Sequence, residues 1–498
     1  MPDNYDVAII GGGVIGCSIA RELSRFRLKT VLLEKNAEVG FGTSKTNSGI
    51  IHSGHDTPLS TLKGRLVVRG NALFDGLHEE LGFGFRRIGE LNVAQTEEEL
   101  EGLKALKALG DEKGVPGIEL WDQERLRREE PNLSRALLGA LYCPSAGVIN
   151  PYEFAFALIE NAVANGVELR VDSPVLGLEP NAEGLAVRTP GGTLQARFVL
   201  NCAGVAADEV AAMVGCADFK ILPRKGEEYM LDKRLKGLVR RLVFPLPTKT
   251  TKGILIIPTF DGTIMVGPTA QTIEDRGDFA TTAQGADEVF GYIKRLCPAI
   301  DARDAITAFA GLRAVSDTND FVIGPTKVKG FVNVAGTQSP GLTSSPAIAE
   351  HVLEILSLQG LELSRKARFN SRVAPPPRFA QLGHAEQDEL ANKDPLFAKV
   401  VCRCELVTEA EIHDAVDHGA RTLDGIKFRS RAGMGRCQGG FCSSRCMEIL
   451  SKRLAKPIYD ITKRGGGSYI AVPIDLEAAR GEPPLHPDAR PRINAEEK

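Results

Sequence analysis

A strand that runs straight into Gly11-Gly-Gly13-Val-Ile-Gly16 leaves a chain few folds to choose from. Residues 5–10 (Tyr-Asp-Val-Ala-Ile-Ile) have the apolar character of a short buried strand, and Val14 to Arg25 carries helical spacing. Lys29 to Glu34 reads as a second buried strand, so the chain starts as a βαβ unit with the glycines at its first turn. Gly11 permits the tight turn, Gly13 lets the backbone approach a pyrophosphate, and Gly16 lets helix and strand pack closely. The helix N-terminus then offers N–H groups and partial positive charge to the phosphates. Glu34, 18 residues beyond Gly16, ends the second strand where an acid accepts hydrogen bonds from ribose hydroxyls. A tight turn that binds nothing is the competing reading, and the strand, glycines and acid together argue against it. The fingerprint alone does not separate FAD from NAD.

The 498 residues are enough for two or three domains, and a hydrophobic content of 43% with 25% charged residues is ordinary for a soluble globular protein. A formal net charge of -3 and the lack of a strongly basic run argue against a nucleic-acid platform. The N-terminus has no basic n-region, and the apolar run Val7 to Ile10 is too short for a signal or a membrane span. The expected compartment is cytoplasmic, with peripheral membrane association through a partner still compatible. There, clustered cysteines more often bind metal or do chemistry than form disulfides.

Val199-Leu-Asn-Cys-Ala-Gly204 and Phe331-Val-Asn-Val-Ala-Gly336 each read as a strand entering a glycine turn, and are expected in the same sheet as the first two strands. Leu242 to Pro268 alternates apolar and turn residues as antiparallel strands do, which suits a substrate-covering sheet. Helical patterning resumes at Ala347 to Leu358. Ala374-Pro-Pro-Pro377 and Asp394-Pro395 mark 371–398 as a linker or wrapping segment. A small domain of about 60 residues follows, and roughly the last 20 residues look frayed.

Only one nucleotide fingerprint is present; Gly433-Met-Gly435 has no strand before it. One such site beside a long interleaved region favours tightly held FAD over exchangeable NAD. Five segments carry a resemblance: Gly11–Gly16, Glu34-Lys35, Thr46-Asn-Ser-Gly-Ile-Ile-His52, Pro223-Arg-Lys-Gly-Glu-Glu-Tyr229 and Gly336-Thr-Gln-Ser-Pro-Gly-Leu-Thr-Ser-Ser-Pro346. Across residues 1–360 the chain resembles the flavin oxidoreductases of the D-amino-acid-oxidase and glycerol-3-phosphate dehydrogenase group. The resemblance implies an α/β fold with a Rossmann-type FAD-binding domain and an interleaved antiparallel-sheet substrate domain, together spanning 1–370. The FAD-binding parts are expected at about 1–80, 145–215 and 325–365, and the substrate-domain parts at about 81–144 and 216–324. It implies that Gly11, Gly13, Gly16, Glu34, Lys35, Ser48, Val175 and Gly204 hold FAD, with Val175 meeting the adenine through its backbone. It also implies that the backbone amides of Gly341, Leu342 and Thr343 lie at the isoalloxazine ring, where they stabilise negative charge.

In the resembling enzymes the segment ending at His52 lies against the flavin. An alcohol that loses hydride must also lose its hydroxyl proton, and an imidazole suits that task. The alternative is a histidine that only hydrogen-bonds FAD or packs beside it. Arg313 and Lys252 fall where glycerol-3-phosphate oxidases have substrate-facing residues, and they would hold an anion as a planar fork and a point charge. A structural ion pair for Arg313 and an exposed loop lysine for Lys252 are the plainer readings. Arg224 and Tyr229 are weaker candidates, and His55 reads as a loop residue. The chain departs from the pattern in two places: Gly-Leu-Arg-Ala surrounds Arg313 where the oxidases tend to carry Arg-Pro, and Glu227-Glu228 looks like an insertion into Gly-Glu-Tyr.

Five of the ten cysteines lie between Cys402 and Cys446. Cys402-Arg-Cys404 can reach one centre from one loop, and Cys437-Gln-Gly-Gly-Phe-Cys442 can fold back onto it through its glycines. Four thiolates suit a [2Fe–2S] cluster or tetrahedral zinc. Thr408-x-x-Glu411 is a capping box opening a helix that ends before Gly419, Ser443 or Ser444 starts another, and Cys446 on that helix reads as a bystander. Residues 399–456 are similar to the bacterioferritin-associated-ferredoxin type of [2Fe–2S] domain, small and mainly helical, in its Cys-x4-Cys variant fused to flavin dehydrogenases, with 457–498 as an extension. Cys402, Cys404, Cys437 and Cys442 are then the cluster ligands. The whole is expected to be an FAD-dependent dehydrogenase of a small anionic hydroxy compound, with glycerol 3-phosphate leading, that passes electrons through the cluster to a protein acceptor. L-2-hydroxyglutarate or an amino acid as substrate, and an electron-transfer or redox-sensing subunit, are the alternatives.

Overall fold

The computed structural model describes residues 3–247 and 252–473. Contacts divide the chain into two compact units, one formed by 1–377 with 435–438 and the other by 378–434 with 439–498.

In the first unit, strand β1 (Asn4–Ile10), helix α1 (Val14–Leu23) and strand β2 (Thr30–Leu33) form the expected βαβ start, with β1 and β2 parallel. The strand Gly192–Asn201 runs parallel to β1 along its whole length. Its other edge is shared between the antiparallel Gly184–Thr189 and the parallel Phe331–Ala335, so both late strands join the first sheet as their sequences indicate. Every residue of β2 and of Phe331–Ala335 is buried, as continuous apolar runs in a parallel sheet require.

A second sheet, nine-stranded among the described residues, draws its strands from 90–143 and 221–316. Its spine is the antiparallel pair of Ile221–Leu231 and Ala305–Ser316, which sets Arg224 opposite Arg313 and Glu228 opposite Phe309. The ladder shifts register only at Met230/Leu231. Glu227 and Glu228 of the doubled glutamate take successive ladder positions and face opposite sides.

The helix Gly341–Leu358 begins six residues before the expected Ala347. Gly-Leu-Thr-Ser-Ser-Pro reads as loop, yet Pro346 sits within the helix, where its missing N–H deprives the Leu342 carbonyl of its helical partner. Ser345 Oγ donates to that carbonyl at 2.9 Å.

The second unit is mainly helical, with Glu409–Asp417, Leu423–Ser430 and Ser443–Leu454 around a core that includes Ile412, Ile426 and Leu450. The capping box is present: Glu411 N–H donates to Thr408 Oγ1, and Thr408 N–H donates to Glu411 Oε2 at 2.8 Å. The stretch 371–398, expected as a linker or wrapping segment, contains the helix His384–Lys393. Part of the extension beyond 456 packs on the second unit: Ile461 is 1% exposed in this core, and Leu423 N–H donates to Thr462 O. The expected frayed tail lies outside the described residues, as do Thr250 and Thr251 beside Lys252.

Candidate functional site

The glycine turn has the shape that a dinucleotide needs. Gly11 adopts φ +107, and a Cβ there would stand 2.4 Å from Cys202 O; a Cβ on Gly16 would stand 2.1 Å from Gly11 O. Strand and helix touch through bare backbone, and α1 opens at Gly13 without a side-chain cap of its own. Ser44 Oγ accepts from Val14 N–H at 2.9 Å. The buried Glu34 carboxylate accepts from Gly12 N–H at 2.7 Å through one oxygen and from Asn36 N–H at 2.8 Å through the other. It thus braces the turn that it was expected to serve through a ribose. Lys35 beside it is exposed. Ser173 N–H donates to Glu34 O at 2.8 Å, which holds the half-buried Val175 two residues on beside the end of β2. Gly204, at φ +59, starts the short turn Gly204–Ala206 after the strand Gly192–Asn201. A Cβ at Gly11 or Gly16 would collide with backbone and disrupt this turn, whose uncapped helix N-terminus at Gly13 fits the pyrophosphate of a flavin dinucleotide.

His52 follows the short strand Ile50–Ile51 and is 8% exposed. Its N–H donates to Thr343 Oγ1 at 3.0 Å, and its Nε2 lies 3.3 Å from Ser339 Oγ, so it is tied to the segment implied to wrap the ring. Of the amides implied to act there, Gly341 N–H is spent on Gln338 O at 2.6 Å, while Leu342 and Thr343 stand in the first turn of the helix. On the other side of the ring, Nδ1 lies 3.9 Å from Glu90 Oε2. Burial, followed by the charge of Lys252, lowers the His52 pKa, against the pull of Glu90 and Asp56.

His55 lies in a turn, as a loop residue should, but it is buried: it is 2% exposed, and its Nδ1 lies 3.2 Å from Glu90 Oε1 and 2.7 Å from Ser53 Oγ. Burial alone would depress His55, but its contacts with Cys143 and Glu90 hold its pKa well above the ordinary value. Glu90 responds in the opposite sense, since burial would raise it and the two histidines hold it well below the carboxylate range. His55, Glu90 and Cys143 lie within 4.8 Å of one another, as metal ligands would, but the Ser53 hydroxyl already donates to the Glu90 carboxylate and accepts from His55 Nδ1–H.

Arg313 extends over Gly226, whose Cβ, if present, would meet its Nη2 at 2.5 Å. Nη2 donates to Thr269 O at 3.2 Å, and Nη1 is buried with no hydrogen-bond partner. On the facing strand, Glu228 is also buried. Its Oε1 accepts from Ser48 Oγ, its Oε2 has no partner, and burial pushes its pKa up to about 7. Lys252 pairs with the buried Asp56 at 2.7 Å, so most of its charge is already answered. Lys113 donates to Gly54 O and Thr57 O, and burial lowers its pKa to about 8. Burial also lowers Lys63, which interacts with Asp320, Lys252, Asp56 and Arg224.

Glu90, Asp56, Lys63 and Lys113 were not expected at the site, and Glu228 was expected only as part of a doubled glutamate. Glu90 and Asn92 were detectable as polar residues inside the otherwise apolar strand Glu90–Ala94, all of it buried. Asp56 directly follows His55. Lys63 and Lys113 sit on surface-patterned helix and turn, and nothing local marks them.

In the second unit, Cys402 ends the strand Val400–Cys402 and Cys442 stands at the start of the helix Ser443–Leu454. Their thiols share a hydrogen bond, which with burial raises Cys402, while N–H groups of Gly433 and Glu405 point at its sulfur. Cys404 is exposed. Cys437 is half-buried in 435–438, the segment that groups with the first unit. Left-handed residues at Leu406, Arg431, Gly433, Gln438 and Gly439 give these loops the tight turns that a small cluster requires. Cys446 is buried in the core, a packing residue.

Residues 6–355 match the family described as FAD dependent oxidoreductase, and residues 400–452 match the BFD-like [2Fe-2S] binding domain. The chain is 43% identical to a protein of Caloramator mitchellensis named glycerol 3-phosphate dehydrogenase, over 94% of this chain and 98% of that one. It is 32% identical to one of Mycoplasma genitalium named glycerol 3-phosphate oxidase, over 73% of this chain and 97% of that one. Among solved structures it is similar to the dithionite-reduced L-alpha-glycerophosphate oxidase of Mycoplasma pneumoniae with FAD bound, at 29% identity and a TM-score of 0.72, covering 75% of this chain and 100% of that one. The nucleotide cradle is thus for FAD rather than NAD, and the cysteine module for iron and sulfide rather than zinc. The chain belongs to the FAD-dependent oxidoreductases and carries a BFD-like [2Fe–2S] domain, an enzyme of the glycerol-3-phosphate dehydrogenase-like kind.

Proposed function

We propose that the protein oxidises glycerol 3-phosphate to dihydroxyacetone phosphate and that the electrons leave through the [2Fe–2S] cluster to a protein acceptor. One observation carries the reading: Arg313 presents a buried guanidinium nitrogen with no hydrogen-bond partner. A buried charged donor left without an acceptor costs about 1–3 kcal/mol or more, and a bound anion offsets that cost. A phosphate monoester matches the planar fork of arginine. The relatives named for glycerol 3-phosphate support the same substrate.

His52 Nε2 takes the proton of the secondary hydroxyl. The C–H pair of electrons leaves the same carbon as hydride, so alcohol becomes ketone with one proton held on imidazole. FAD, when bound, supplies the hydride acceptor. Gly11, Gly13, Gly16, Glu34, Lys35, Ser48, Val175 and Gly204 hold its dinucleotide. The first turn of the helix Gly341–Leu358, through Gly341, Leu342 and Thr343, supplies a positive dipole end to charge on the ring. Arg313 anchors the phosphate, and Lys252, braced by Asp56, completes the charge of the pocket. Cys402, Cys404, Cys437 and Cys442 hold the cluster.

The direct test is anaerobic titration of the holoenzyme with glycerol 3-phosphate while the visible flavin band is followed. Bleaching is expected. No bleaching, together with bleaching by L-2-hydroxyglutarate or an amino acid, overturns the substrate.

A further inference from the structure

The two ring nitrogens of His52 face different environments, and one of them faces a carboxylate that no function yet explains. Nε2 lies toward Ser339, and Nδ1 lies 3.9 Å from Glu90 Oε2. Glu90 is 2% exposed, and its other oxygen is fixed from behind by His55 Nδ1 at 3.2 Å and by the Ser53 hydroxyl, while Ser53 N–H adds a third bond at 3.3 Å. A buried carboxylate set between two histidines is an expensive arrangement for a core that needs only to pack. Its orientation is also specific, since one oxygen is saturated and the other is left for the histidine at the flavin side.

We propose that Glu90 is a positioning residue for proton abstraction: it keeps the His52 proton on Nδ1, so that Nε2 is the free base, and it stabilises the imidazolium once Nε2 has taken the hydroxyl proton. His55, on the far oxygen, sets how much of the carboxylate's charge reaches His52. The inference rests on the reading of His52 as the base. The step balances as before, because Glu90 remains a carboxylate throughout and neither gains nor loses a proton. The charged and titratable groups around the pair are Lys252 and Asp56 on the His52 side, and His55 with Cys143 on the Glu90 side. Lys252 and Asp56 form their own ion pair at 2.7 Å, which leaves Glu90 as the carboxylate facing Nδ1.

The two partners of Glu90 give opposite signatures. A base acts when unprotonated, so the rate of flavin reduction by glycerol 3-phosphate rises with pH through the His52 pKa. Glu90→Gln removes the charge that raises that pKa, so the rising limb moves to lower pH and the plateau falls by roughly ten- to a hundredfold. KM changes little, because Glu90 does not touch the substrate. His55→Gln frees the whole charge of Glu90 for His52, so the limb moves to higher pH. Glu90→Asp restores part of the plateau. The measurement is anaerobic stopped-flow reduction of FAD-loaded enzyme across pH, with FAD content and unfolding midpoint recorded for each variant. A lower plateau with an unmoved limb in Glu90→Gln, or shifts of the same sign in both variants, overturns the positioning role. His52→Gln separates the two readings: if that variant keeps the wild-type rate and limb, the base assignment itself has failed.

Discussion

At the residue scale the candidate pocket is a problem in buried charge. Arg313 and Glu228 sit on facing strands, each with a buried polar atom that has no partner. They are not equivalent. Burial lowers the Arg313 pKa yet leaves a group that stays protonated at any ordinary pH, whereas burial carries Glu228 to about 7. Glu228 is thus neutral over much of the acidic range, and a neutral carboxyl beside the arginine proposed to hold the anion avoids repelling a phosphate. The consequence for stability has a definite sign. The unfolded chain loses the Glu228 proton near the ordinary value while the fold keeps it up to about 7, so its contribution is fully present below about 4.5 and lost as pH rises to about 7. The loss amounts to about 3 kcal/mol. Denaturant midpoints of wild type and Glu228→Gln, compared at fixed FAD from acid to neutral pH, should diverge over that window, with wild type losing ground. Parallel curves would mean that the folded carboxyl ionises normally. His52 and Arg313 were legible because they stand in recognisable segments. The burial of Glu228 was not, although the doubled glutamate stands in a recognisable segment, because the strand pattern does not say which acid a second strand covers.

At the element scale, legibility follows how local the cause is. The βαβ start was readable because period, glycine and acid act within one stretch of 34 residues. The early start of Gly341–Leu358 was not, since its first turn is built from turn-forming residues and holds only because Ser345 answers the carbonyl that Pro346 cannot. The short strand Leu242–Pro245 pairs parallel with Glu90–Ala94, a long-range choice that an alternating pattern cannot announce. Where helix meets strand most closely, one methyl group decides the outcome. A Cβ on Gly16 would lie 2.1 Å from Gly11 O, within the backbone of the turn itself. Gly16→Ala must push α1 off β1, with a cost of about 1–3 kcal/mol for an overpacked contact and a displaced helix N-terminus. The expected result is protein purified with a lower flavin-to-protein absorbance ratio and a lower unfolding midpoint, the second persisting without FAD. A variant with full FAD and unchanged stability would show that the helix has slack which the geometry denies.

At the scale of the whole molecule the chain joins an FAD-dependent oxidoreductase to a BFD-like [2Fe–2S] domain, and the four cysteines proposed as ligands differ in what their loss would do to the fold. Cys402 and Cys442 are each 2% exposed and belong to the core of the second unit, so replacing them removes packing as well as a ligand. Ile461, in the extension beyond 456, adds to that core, a long-range contact that no local pattern announces. Cys404 is exposed, so Cys404→Ser exchanges a thiolate for a hydroxyl without opening a cavity. No helix among the described residues is long and apolar enough to cross a membrane. If electrons leave through the cluster, Cys404→Ser should lose iron and sulfide while retaining FAD. Anaerobic bleaching by glycerol 3-phosphate should then proceed at the wild-type rate, because that step needs only the first unit. Steady-state turnover with a one-electron protein acceptor should collapse. Loss of iron with turnover intact would remove the cluster from the route, and retention of iron would remove Cys404 from the ligand set.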